Sequence, residues 1–204
     1  MEADSKVSLK LLVNTTNQTV LFAEAGKDFV DFLFYILSLP VGAVVKVLEK
    51  DNMGSLRELY HGFEALSETY IQPNKTKSSV LNPEPPIRPK ISLLPFSNDE
   101  SKSRQFFSFG SASGPPGFAS WATDVSEGGF VKGTVNYMVM DNLHVEPITS
   151  VICWITLFNK FKVKGLSSLE ERVVDFGVDE GLKLLKASMD CKNVLTSIFL
   201  GNNN

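Results

Sequence analysis

Residues 7–23 read VSLKLLVNTTNQTVLFA and determine how the first part of the chain folds. Residues 7–13 alternate and then become continuously apolar, which is typical of a mostly buried strand. Residues 14–18 form a polar turn with two asparagines, a residue type that tolerates positive φ. Residues 19–23 are rich in strand-forming side chains. The stretch therefore predicts an antiparallel hairpin.

Helical segments follow this hairpin. Gly26 breaks the second strand, and residues 27–39 have helical length, with Asp28 and Asp31 in the first turns, where the helix dipole favours acids. Pro40 starts the next element, over residues 41–50.

A third helix is predicted over residues 55–70. Ser55 and Glu58 have the spacing of a capping box, in which the serine accepts a backbone hydrogen bond and the glutamate reaches back. Six apolar residues fall on one helical stripe: Leu56, Leu59, Tyr60, Phe63, Leu66 and Tyr70.

The last third of the chain repeats this order. Its predicted elements are a strand over 131–140, a turn at Asp141-Asn142, a return strand over 143–146, an apolar helix over 150–161, a break at Gly165, a helix from the capping residues 167–171 to near Gly177, a helix over 178–189, and either a strand or a helical end over 194–200.

Prolines mark the boundary between the two parts. Eight of the ten prolines lie between Pro73 and Pro116, where they remove backbone donors and resist helix formation. The sequence therefore predicts a first half over 1–71, a disordered Pro/Ser/Gly-rich linker over 72–120 and a second half over 121–204. The apolar islands 91–96 and 106–109 are expected to dock on the folded part.

The fold class expected is α+β, with two pseudo-repeated ββα-helical halves that share one core. A lone hairpin is marginal in water, and a helix that is apolar on most sides must be buried on most sides. Strands of both halves are therefore expected in one sheet or in two facing sheets. The alternative is that the ββα order recurs by chance.

Composition and charge exclude several classes of protein. The net charge of −3 carries no basic footprint for nucleic acid. Cys153 and Cys191 cannot build a disulfide framework or a four-thiolate zinc site. The acidic N-terminus does not resemble a secretory signal, and the uncharged apolar stretch 32–45 is too short to span a bilayer. An intracellular, cytoplasmic protein is expected, with the nucleus left open and with no membrane or nucleic-acid partner.

Several runs of residues resemble a plant family of unknown function, DUF674. They are KVSLKLLV at 6–13, VLFAEAGKDFVD at 20–31, LPVG at 39–42, FVKGTV at 130–135 and KLLKAS at 183–188. The resemblance implies no activity. Many members of the family carry cysteine pairs between the halves that look like a small zinc-binding insert, whereas residues 72–120 contain no Cys or His. No metal or cofactor is therefore expected, and whether the linker replaces a lost zinc insert stays open.

Residues 24–28 are the most informative polar cluster. Glu24, Lys27 and Asp28 join a strand to a helix N-terminus, a place where ligands often bind. The isolated His61, His144 and the two cysteines form no catalytic constellation with one another. Two hypotheses follow: a non-enzymatic interaction or scaffold module with protein partners, or a ligand-binding protein or enzyme with a groove near residues 24–28. The oligomeric state is left open.

Overall fold

The computed structural model describes residues 6–48, 53–73, 75–82, 91–95, 129–149 and 166–201. Their helices and strands are β1 (Val7–Asn14), β2 (Thr19–Ala25), α1 (Lys27–Leu37), α2 (Val41–Val47), α3 (Ser55–Ala65), α4 (Ser78–Leu81), β3 (Tyr137–Met140), β4 (Val145–Pro147), β5 (Leu169–Phe176), α5 (Val178–Asp190) and α6 (Val194–Phe199). The α+β class is confirmed. The predicted helix 150–161, with Cys153, and the break at Gly165 lie outside the described residues.

The five strands form one antiparallel sheet in the order β4-β3-β2-β1-β5. The N-terminal hairpin β1–β2 is present as predicted. β5 pairs with β1 along its whole length, so that Val7 lies opposite Phe176 and Asn14 lies opposite Leu169. β2 pairs with β3 on its other side. Strands from before residue 72 and after residue 120 therefore lie in a single sheet, which is one of the two arrangements that the sequence predicted.

The helix predicted from residues 167–171 to near Gly177 is wrong, because Leu169–Phe176 forms strand β5. The β-branched Val173 and Val174 favour a strand, and the free edge of β1 offers a full set of backbone partners. β5 is an edge strand, and edge strands resist further pairing when they carry charged residues. Its charged residues are Glu170, Glu171, Arg172 and Asp175.

The main core lies between one face of the sheet and helices α1, α5 and α6. Phe29 and Phe32 of α1 pack against Phe176, with ring centroids 4.9 and 5.7 Å away. Leu184 of α5 and Leu195 of α6 are fully buried in the same cluster. Burying a side chain of this size contributes about 1.5–3 kcal/mol. The residues 194–200, predicted as a strand or a helical end, form the helix α6.

Helix α1 is buried on most of its surface but not on all of it. It ends at Leu37, which is 83% exposed. Among the described residues, no single helix is long and apolar enough to cross a membrane. Only together do α1 and α2 reach the length and apolar composition of a membrane span, and this pair is bent by 112° at the break between the two helices.

The opposite face of the sheet carries a second apolar cluster. Its buried residues are Leu21, Phe22, Met138 and Met140. Leu12 pairs with Phe22 and Val13 with Val20, so the register skips Leu21. This irregularity, a β-bulge, places the adjacent Leu21 and Phe22 in the same cluster.

Part of the predicted linker belongs to the main core. Leu93 and Leu94 are 1% and 2% exposed and pack with the residues of α1 and α5. Their approach depends on Gly181 of α5, where an added Cβ would lie 2.0 Å from the Leu93 carbonyl oxygen. The apolar island that begins at residue 91 therefore docks on the folded part. Residues 74, 83–90 and 96–120 of the predicted linker lie outside the described residues.

Helix α3 begins at Ser55 as predicted, but its N-cap and its C-terminal end differ from the prediction. Gly54, with φ +55°, is the N-cap, and Ser55 is already helical, so the predicted Ser55–Glu58 capping box is wrong. Glycine adopts positive φ without the cost that a Cβ imposes, which explains why it takes this position. The helix stops at Ala65, and a separate 3₁₀ turn covers Glu68–Tyr70.

Candidate functional site

Glu24, Lys27 and Asp28, the residues singled out from the sequence, lie where β2 ends and α1 begins. Gly26 between them is the N-cap of α1. The three polar side chains have separate surroundings. Glu24 bonds Asn136 and Lys27 pairs with Asp31, whereas Asp28 is the acid in the first turn of α1. The three residues are neighbours in sequence, but their charged groups contact different parts of the molecule.

Asp31 is the centre of the best-organised polar cluster in the described residues. Its carboxylate is 2% exposed and lies 2.7 Å from the Lys27 ammonium, one helical turn away. The same carboxylate accepts hydrogen bonds from the amides of Phe130 (2.6 Å) and Val131 (2.9 Å). Lys27 also donates to the Val131 carbonyl. Two side chains of α1 therefore hold the backbone of residues 130–131.

Gly129 allows this close contact. Its φ is +100°, and an added Cβ would lie 2.1 Å from the Asp31 carboxylate oxygen and 2.9 Å from the Lys27 ammonium. Any side chain at position 129 would both strain the backbone and displace the ion pair. The sequence contained one signal for this cluster, because Lys27 and Asp31 have the i, i+4 spacing of a helical ion pair. The segment that they bind lies about 100 residues later, and no pattern in the sequence predicted that contact.

The same contacts shorten the predicted strand 131–140, which begins only at Tyr137. The amide of Val131 bonds the Asp31 side chain rather than a neighbouring strand. The side-chain amide of Asn136 donates to the Glu24 carboxylate at 2.8 Å. Residues just before β3 therefore form hydrogen bonds with side chains of the β2–α1 junction.

Glu24 also lines a shallow cavity of about 30 Å³ on the sheet. That volume is enough for a water molecule, which needs about 10–15 Å³. Lys10 and Glu171 place opposite charges around it, and the remaining lining residues are Leu11, Leu12 and Phe22.

A larger cavity, of about 90 Å³, lies between α2 and α3. It is lined by Val45, Lys46, Arg57, Tyr60, His61 and Glu64. The Lys46 ammonium donates to the side-chain oxygen of Asn82, and His61 Nδ1 lies 3.4 Å from Glu64 Oε2. Among the lining residues, the sequence pointed to His61 as a candidate for chemistry and to Tyr60 as part of an apolar stripe. It could not show the cluster, because the lining residues lie on two helices.

Asp141 forms a further polar connection that the sequence assigned only to a turn. Its carboxylate accepts hydrogen bonds from the Thr196 amide (2.7 Å) and the Thr196 hydroxyl (2.8 Å). The Thr196 oxygen accepts in turn from the Val20 amide at 2.9 Å. Asp141 therefore joins the β3–β4 turn, the start of α6 and the hairpin.

The other residues considered from the sequence lie at the surface. His144 pairs with Glu146 at 3.2 Å, and Cys191 is an exposed free thiol after α5. On β5, the hydrogen-bonded Arg172 guanidinium holds the pKa of Glu170 below its usual range. Within the described part of the chain, no three His, Cys, Asp or Glu residues are grouped as a metal site.

Comparison with known proteins identifies one family. The sequence model of DUF674, described as a protein of unknown function, matches residues 3–114 and 118–204. No curated protein and no solved structure matches the chain.

Proposed function

This chain belongs to the DUF674 family of proteins of unknown function, and we propose that it is a non-enzymatic protein-interaction module. The observation that carries this proposal is helix α3. It is amphipathic, yet none of its eleven residues is buried. Leu59 is 69% exposed and Leu56 is 44% exposed. Exposed apolar surface of this kind is a mark of interaction sites.

The position of α3 supports the same role. Its polar side, with Arg57, His61 and Glu64, faces the cavity shared with α2. Its leucines lie on the neighbouring part of the helix circumference, since residues three and four apart share a face. Leu66, just after the helix, extends this row and is 37% exposed. We call Leu56, Leu59 and Leu66 the α3 stripe.

The test is capture of partners by the full chain and by a variant of the α3 stripe. Leu56→Ser with Leu59→Ser should remove at least one partner that the unchanged chain retains from its native tissue, identified by mass spectrometry. Val173→Ser is the matched control, because Val173 is 63% exposed and lies on the edge strand β5 rather than on α3. Equal partner sets for the stripe variant and the unchanged chain would contradict the proposal.

The alternative is a ligand-binding protein or enzyme that uses a groove near Glu24, Lys27 and Asp28. Glu24 favours it, because its carboxylate lines a cavity together with Lys10 and Glu171. A ligand screen by thermal shift tests it. A compound that raises the melting temperature of the unchanged chain, but not of Glu24→Gln or Asp28→Asn, would support this alternative over the interaction module.

We also propose that the chain consists of two repeated halves, 1–71 and 121–204, with the Pro/Ser-rich residues 72–120 as a linker. Each half contains an antiparallel hairpin of consecutive strands, β1–β2 in the first and β3–β4 in the second. This recurrence supports a duplication.

A soluble protein of the cytoplasm that binds protein, rather than nucleic acid or membrane, is part of the proposal. The exposed free thiol of Cys191 suits a reducing compartment, and the net charge is −3. A fluorescent fusion in plant cells tests the location. Fluorescence confined to a secretory compartment would contradict it.

A further inference from the structure

We propose, building on the interaction role, that the cavity between α2 and α3 binds a carboxylate side chain of an acidic, leucine-bearing peptide segment on a protein partner. We call this cavity, lined by Val45, Lys46, Arg57, Tyr60, His61 and Glu64, the α2–α3 cavity. The α3 stripe beside it receives the leucines of the same segment.

Hydrogen-bond donors outnumber acceptors in the α2–α3 cavity. Arg57 supplies a planar fork of five N–H groups, and within the described ranges its guanidinium has no hydrogen-bond or ion-pair partner. Lys46 has three donors, of which Asn82 takes one. The one carboxylate of the lining, on Glu64, already faces His61. A group that offers only acceptors therefore complements this cavity.

Its size selects a small acidic group. The volume of the α2–α3 cavity is about 90 Å³. Cavities that hold whole cofactors or drug-sized ligands are usually about 300–1,000 Å³. A carboxylate fits, and arginine binds carboxylates through two parallel charge-assisted hydrogen bonds.

The neighbouring surface indicates that the carboxylate belongs to a peptide. Arg57 and His61 are one turn apart and form one row of α3, while Leu56 and Leu59 form the adjoining row. Lys77 adds a further cation at this end of the molecule, where its ammonium donates to the Glu64 carbonyl at 2.8 Å. The cations Arg57 and Lys46 beside an apolar row complement a segment that alternates acids with leucines.

The probe is a fluorescein-labelled synthetic peptide of repeating Asp-Glu-Leu-Leu, matched in length to the 11 residues of α3. Fluorescence anisotropy measures its binding to the full chain. We expect a Kd below about 1 mM, and about tenfold weaker binding for Arg57→Gln, since one tenfold step corresponds to the loss of a charge-assisted hydrogen bond. Arg57→Lys should keep part of the affinity. Lys183→Gln, an exposed cation on α5, is the control and should bind as the unchanged chain does.

The outcomes separate this proposal from the interaction role. If the peptide binds and Leu59→Ser weakens it while Arg57→Gln does not, the α3 stripe is an interaction surface and the carboxylate site is wrong. The carboxylate site is also wrong if inorganic phosphate binds without displacing the peptide. It is likewise wrong if the peptide does not bind at all. Neither result affects the capture of partners by the α3 stripe. Equal binding of a peptide with lysines in place of the acids contradicts charge selection.

Discussion

Asp31 shows how one residue can connect distant parts of the chain. A buried carboxylate is costly unless it is both paired and hydrogen-bonded. Asp31 has the Lys27 ammonium on one oxygen and two backbone amides on the other. These contacts place the segment before β3 against α1. Asp31 therefore stabilises the tertiary structure and does not only complement the helix dipole of α1.

Asp31→Ala should lower the free energy of unfolding by about 3–5 kcal/mol, the range for removing one partner of a buried ion pair. The loss leaves the Lys27 ammonium, which is 14% exposed, without its counter-charge. Urea denaturation measures it. Asp28→Ala is the control on the same helix and should cost less than about 2 kcal/mol, the upper limit of a partly buried helix-dipole contact. Similar losses for the two variants would show that the Asp31 cluster is not a strong contact.

Gly181 and Gly62 provide a second pair of residues for comparison. Gly181→Ala should destabilise by about 1–3 kcal/mol, because the new Cβ would collide with the Leu93 carbonyl, 2.0 Å away. Gly62→Ala, in α3, meets no atom within 4 Å and should stabilise by about 0.5–1 kcal/mol, the helix preference of alanine over glycine. Thermal unfolding of both variants checks the opposite signs. A stabilised Gly181→Ala variant would show that residues 91–95 do not dock beside α5.

At the scale of elements, β5 shows where local pattern and tertiary pairing disagree. Residues 167–171 satisfy the spacing rules of a helix start, and the charges Glu170, Glu171 and Arg172 are common in helices. Strand pairing with β1 over its full length decides the outcome. Local preferences amount to tenths of a kilocalorie per residue, and tertiary context routinely overrides them.

The ion pair on β5 makes a pH prediction possible. Because Arg172 lowers the pKa of Glu170 in the folded chain, this contact stabilises the fold above the unfolded pKa, and its contribution is lost as the pH falls through the folded pKa. Arg172→Gln should raise the pKa of Glu170 toward its usual value, as measured by NMR titration of the carboxyl carbon. Arg172→Lys should give an intermediate pKa, since lysine keeps the charge and loses the fork. An unchanged pKa in Arg172→Gln would contradict the contact.

At the scale of the whole molecule, the two parts of the chain depend on each other. β1 has β2 on one side and β5 on the other, and β2 pairs with β3. Without the residues after 120, the hairpin would have two unpaired edges, and a single hairpin is marginal in water.

Fragments 1–100 and 121–204 should each lack a cooperative melt and should fold when mixed, as followed by circular dichroism and dispersed amide NMR spectra. Fragment 1–72 should rescue 121–204 less well, because it lacks Leu93 and Leu94 of the main core. Each buried leucine contributes about 1.5–3 kcal/mol. A cooperative melt for either fragment alone would contradict a shared core.

Features carried by neighbouring residues could be predicted from the sequence. The hairpin over residues 7–23, the break at Gly26 and the helices that begin at residues 27, 41 and 178 appear as expected, because alternation, turn residues and helical periodicity act over a few residues. The family could also be recognised, since long runs of residues match it.

Only the tertiary structure decided the contacts between distant residues. The sequence placed Asp31 in a helix but could not show its amide partners at residues 130 and 131. The local pattern of residues 169–176 indicated a helix, because the pairing of this segment with β1 is not evident from the sequence. The sequence also did not show that Lys46 of α2 lies near Arg57 of α3. Each of these contacts depends on chain segments that meet only after folding, where pairing and burial outweigh local preference.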